Sequence, residues 1–240
     1  MPTRLHLPND VVQNDASIKE KVTSGIFIIS LILSFCFIVS VNHFMYTSKI
    51  KVSETTWLFS FIYLLTVAFP FTGYIVASKR SLSTYGVSNN NLKVSFKEGI
   101  LFTLLLFAGV SITLMAMQFL GNAGDIEKWL YSGKLSAADA AYYLLHVVVQ
   151  EFFIRGVIQT SLYRFFENYR SLLSIFCTSL IFGFLHIHNG YMLVLIAFLI
   201  SFPMGYIFQK HKNLIGVIII HWTLGLLIIY FWNTIITSSI

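Results

Sequence analysis

Seven stretches of about 20 apolar residues, separated by short polar segments, divide the chain at 25–46, 56–78, 98–121, 140–162, 171–188, 191–209 and 214–236. A bilayer-crossing helix needs about that many apolar residues, and the runs are too long for the short alternating strands of a barrel. The pattern predicts an all-α fold, a multi-pass transmembrane helical bundle of about seven spans. The segment 1–24 is too polar for a secretory signal, so the first apolar stretch is expected to persist as a helix. Pro70 and Pro203 fall inside the second and sixth stretches, where kinks are expected. The longest connections are 79–97 and 122–139. In the second, Trp129, Leu130 and Tyr131 beside charges suit a short interfacial helix as well as an ordinary connector.

Composition excludes a soluble enzyme. Of the 240 residues, 56% are hydrophobic and 11% charged, with a mean hydropathy of +0.76, against about 25% charged in soluble domains. The net charge of +6 marks topology, because the basic residues lie between apolar runs instead of forming a nucleic-acid face. With a cytoplasmic N-terminus, the inner segments hold Arg4, Lys19, Lys21, Lys79, Arg80, Lys93, Lys97, Arg164, Arg170, Lys210 and Lys212. The outer segments hold only Lys49, Lys51, Lys128 and Lys134. Seven spans then place the C-terminus outside. Cys36 and Cys177 sit in apolar stretches without metal-ligand spacing. Short connections and the economy of the chain fit a bacterial inner membrane.

Ionisable groups inside apolar helices are the informative ones, since a charge at mid-bilayer costs about 2.5–3.5 kcal/mol even on insertion scales. The fourth stretch carries His146, Gln150, Glu151 and Arg155. Glu151 and Arg155 stand one helical turn apart and can pair, either to hold helices together or to serve a site. His186 near the end of the fifth stretch and His221 in the seventh could each, alone, be helix-packing residues. With a carboxylate on a third helix they can activate water by base action or by holding a metal. Counting rise per residue puts Glu151 and His221 at comparable depth and His186 about 10 Å deeper. His6, His43, His188 and His211 are given no role in the site.

QEFFIR at 150–155, FGFLH at 182–186 and HWTLG at 221–225 resemble, in order, the EExxxR, FxxxH and HxxxN/D motifs of the CPBP intramembrane proteases. That group contains the type II CAAX prenyl endopeptidases and bacteriocin-processing relatives. The resemblance covers about 140–236. It implies a peptidase whose water is activated by the first motif glutamate and the FxxxH histidine, the third motif stabilising the oxyanion. Gln150 stands in place of that first glutamate, and Gly225 in place of the oxyanion donor.

The expectation is a membrane-embedded endopeptidase acting on a peptide or membrane-tethered protein. Glu151 is its carboxylate, His186 activates water, and His221 bonds the transition state. Arg155 holds Glu151, and Gln150 positions water or substrate. The expected organisation is a cytoplasmic segment 1–24, helices and loops over 25–139, and a motif-bearing core over 140–236. A divalent metal remains open, as no ligand set such as HExxH is present. Two alternatives stay open: a catalytically silent scaffold that binds a membrane partner, favoured by Gln150 and Gly225, and a small transporter with the polar groups along its pathway.

Overall fold

The structure, a computed structural model, describes residues 9–47, 56–119, 136–187 and 191–238. It is all-helical: α1 Asn9–Thr47, α2 Thr56–Ser78, α3 Leu92–Phe119, α4 Ala137–Phe165, α5 Arg170–Phe184, α6 Tyr191–His211 and α7 Ile215–Ser238, with a 3₁₀ turn at Leu82–Tyr85. No strand occurs among the described residues. Each predicted apolar stretch falls on its own helix. Among the described residues, Ser17–Phe37, Leu92–Ile112, Ala137–Phe165 and Tyr191–His211 are long and apolar enough to cross a membrane. Arg170–Phe184 and Ile215–Leu227 are shorter apolar helices. The expected interfacial helix at Trp129–Tyr131 lies outside the described residues.

Two boundaries differ from expectation. Helix α1 starts at Asn9, well inside the polar segment 1–24, because neither proline nor glycine interrupts the chain between Pro8 and Gly25. Helix α5 stops at Phe184, and Leu185 and His186 form a turn.

The chain forms two compact units, Met1–Ser81 with Val157–Thr178, and Leu82–Gly156 with Ser179–Ile240. In the first, α1 packs on α2 and on the end of α4. The Phe27 ring stacks on Tyr74 at 4.5 Å and meets Phe71 edge-on at 5.4 Å. Pro70 leaves the carbonyl of Thr66 without its helical donor, and the Ser34 hydroxyl of α1 donates to that oxygen at 3.0 Å. Glu20 joins the segment after α2 to the last turn of α4, with Arg80 at 2.6 Å and Arg164 at 3.1 Å. Lys21 pairs with Glu167, and this ammonium holds the Glu167 carboxyl below its ordinary value.

In the second unit α7 packs on α3, α4 and α6. Helices α3 and α7 approach at Gly99 and Gly216, where the Gly216 N–H donates to Ser95 Oγ at 3.2 Å. Small residues permit such backbone approach between apolar helices. The turn between α6 and α7 is tied to the segment before α3. Asn213 accepts from the Ile215 N–H at 2.8 Å, capping α7, and its amide donates to the Asn90 carbonyl at 3.2 Å. Gly86, with φ 86°, packs under Phe208 and Leu214 where a Cβ would come within 2.6 Å of the Phe208 ring. His211, a polar-segment residue by sequence, is buried and pairs with Glu98 at 2.8 Å.

A Cβ at Gly216 would lie 2.5 Å from the Ser95 carbonyl oxygen, whereas one at Gly109 of α3 would meet nothing within 4 Å. Gly216→Ala should therefore destabilise by about 1–3 kcal/mol, with Gly109→Ala neutral or stabilising. Thermal unfolding in detergent reads the difference; equal midpoints for the two variants would contradict the close crossing.

Candidate active site

The site is built on α4. Ser136 and Asp139 form a capping box, the Asp139 N–H donating to Ser136 Oγ at 3.1 Å and the Ser136 N–H to the Asp139 carboxylate at 3.2 Å. The helix then runs in α form to Glu151 and continues as π-helix over Phe152–Gln159 before its last α turns. Wide turns of this kind are frequent at functional sites. Gly156 lies in this stretch, against the Tyr85 carbonyl oxygen, 2.6 Å from where a Cβ would stand.

Glu151 and Arg155 have no solvent exposure at all. Arg155 Nε donates to Glu151 Oε2 at 3.3 Å, and its Nη2 donates to Ser201 Oγ of α6 at 2.6 Å. The other carboxylate oxygen, Oε1, is 2.7 Å from His221 Nδ1 on α7. One carboxylate thus faces both a guanidinium and an imidazole, which offsets the desolvation that burial imposes on it. Phe182 of α5 fills the space beside them. Its ring lies 5.7 Å from Arg155 Cζ, 5.4 Å from the His221 ring and 4.8 Å from the His186 ring.

His186 and His221 both line a cavity of about 220 Å³, with Tyr143 of α4, Phe182, Gly225 and aliphatic side chains of α6 such as Ile196 and Ile200. His186 Nδ1 is 2.9 Å from the Phe182 carbonyl oxygen. A carbonyl only accepts, so this nitrogen carries the proton and the neutral ring has its lone pair on Nε2. His221 Nδ1 likewise faces an oxygen, Oε1 of the Glu151 carboxyl group.

Of the predicted site residues, the structure brings together Glu151, Arg155 and His221, and places His186 on the same cavity. A rise count along separate helices takes no account of tilt, and His186 lines the same cavity as His221. Gln150 is half-buried and does not line the cavity, and His146 is exposed, stacked 6.3 Å from Tyr143. Sequence reasoning missed Ser201 and Tyr143. Tyr143 could have been marked by its position two helical turns before Glu151; Ser201 carried no signal. Among the described residues no three His, Cys, Asp or Glu side chains cluster as metal ligands would.

A buried carboxylate–histidine pair and a second histidine thus meet beside an apolar cavity in an all-helical fold with membrane-length helices. Residues 132–227 match the family of type II CAAX prenyl endopeptidases, described as Rce1-like. The matched part of the chain holds all three motifs and is similar to that protease family. No curated protein and no solved structure matches the chain.

Removing one partner of a buried ion pair strands the other, at about 3–5 kcal/mol. Arg155→Met should lower the thermal midpoint sharply, and Glu151→Gln/Arg155→Met should recover much of the loss. Unfolding of the purified protein tests this; a double variant no more stable than Arg155→Met would show that the two charges do not depend on each other.

Proposed function

We propose that the protein is a membrane-embedded endopeptidase whose water is activated by the Glu151–His221 pair, with His186 on the same cavity. The observation that carries this reading is the 2.7 Å contact between Glu151 and His221 beside a cavity that both histidines line. It shifts the expected division of labour. Glu151 is fully buried and absent from the cavity lining, so its carboxylate acts through His221 instead of meeting water itself. It fixes the ring and stabilises the imidazolium, as the carboxylate of a catalytic triad does.

His221 Nε2 takes a proton from water, and the resulting hydroxide adds to the scissile carbonyl carbon. When the C–N bond breaks, the imidazolium returns the proton to the leaving amine. His186, also an acceptor at Nε2, orients the same water. Arg155 pairs with Glu151 and is itself anchored by Ser201. The aliphatic α6 lining suits an apolar substrate side chain in a peptide or membrane-tethered protein. The reading places the N-terminus on the cytoplasmic side, supported by the eleven basic residues of the inner segments against four outside. The short connections favour a bacterial inner membrane.

Cleavage of a quenched peptide library by the purified protein tests the proposal. His221→Ala and Glu151→Gln should each reduce cleavage by about 10²–10⁴-fold, and His186→Ala should also lower it, with unfolding midpoints measured in parallel. Cleavage unaffected by Glu151→Gln would remove the pair from the mechanism. Silence of the unaltered protein, with activity gained by Gln150→Glu, would instead mark a scaffold lacking its base.

A further inference from the structure

The chemistry above leaves one charge without a partner. Addition of hydroxide puts negative charge on the carbonyl oxygen, which needs a hydrogen-bond donor. In that reading each neutral histidine directs its Nδ1 proton to the oxygen it faces and keeps only a lone pair at Nε2, so neither supplies one. At the third motif, Gly225 has no side chain to offer.

The structure shows what occupies that place. A Cβ added at Gly225 would overlap the hydroxyl oxygen of Tyr143 and lie 2.5 Å from its Cζ and 2.6 Å from its Cε1. The phenol of α4 therefore fills the volume in which a side chain at 225 would begin. Tyr143 lines the same cavity as His186 and His221, and its ring meets the His221 ring edge-on at 6.2 Å. A phenol has an ordinary pKa near 10 and carries its proton at neutral pH. Among the described residues, the hydroxyl has no hydrogen-bond partner.

We infer that Tyr143 is the oxyanion donor of this protein, its phenolic O–H standing in for the side chain that Gly225 lacks. The inference rests on the peptidase reading above. Gly225 leaves the room it needs: in the rotamer present here, the phenol and a side chain at 225 exclude each other. In the reaction the Tyr143 proton is shared with the carbonyl oxygen while charge builds, and remains with the phenol when the C–N bond breaks.

Steady-state cleavage of one library-derived peptide by the full-length protein provides the test. Tyr143→Phe keeps the ring and removes only the donor, so kcat should fall about 10²–10³-fold with KM and the unfolding midpoint unchanged. A packing role would move the midpoint or KM instead. Gly225→Asn alone should be inactive through collision with the ring. Tyr143→Ala/Gly225→Asn should regain part of the kcat lost in Tyr143→Ala. Full kcat in Tyr143→Phe, in a protein that Glu151→Gln silences, overturns the assignment and leaves the peptidase reading intact. Absence of cleavage by the unaltered protein overturns both.

Discussion

A carboxylate with no access to water, set among apolar helices, is the constraint from which the second unit is organised. Left alone, Glu151 would cost several kcal/mol or surrender its charge. Arg155 answers it from one turn along the same helix and His221 from α7. Arg155 in turn needs its own partners, found in Ser201 and in the face of Phe182. Each of these groups comes from a different helix, so a single buried charge fixes α4, α5, α6 and α7 around one point. That point borders the cavity that His186 and His221 line.

The second histidine–carboxylate pair shows how far surroundings decide what such a pair does. His211 and Glu98 have a spacing almost equal to that of His221 and Glu151. Glu98, however, is also paired with Lys210, and neither group borders the cavity. The pair locks the end of α6 to α3 near the turn that Asn213 caps. Similar pairs thus stand in different surroundings: one braces two helices, and in the other the His221 ring borders a cavity.

The sequence carried much of this. Runs of apolar residues located the seven long helices among the described residues, since a helix satisfies the backbone over such lengths in lipid. The few polar residues inside those runs then named Glu151, Arg155, His186 and His221, because burying them demands partners. Packing features were less legible. The π-helical stretch over 152–159 leaves hydrophobic periodicity unmarked, and the exit of α5 at Phe184 precedes a segment still apolar enough to continue. Ser201 was indistinguishable from other hydroxyl residues of apolar helices. Tyr143 escaped notice because its meaning lies in Gly225, 82 positions further on, and only folding puts the two in one volume.

That shared volume also couples the two positions. With the phenol where the structure holds it, a side chain at 225 would have to displace the Tyr143 hydroxyl, the far end of a flexible side chain. The residue at 225 therefore governs which rotamer Tyr143 can adopt, and with it the shape of the cavity that both border. Two helices thus share one decision about how much room the cavity keeps, although each contributes to it from a different part of the chain.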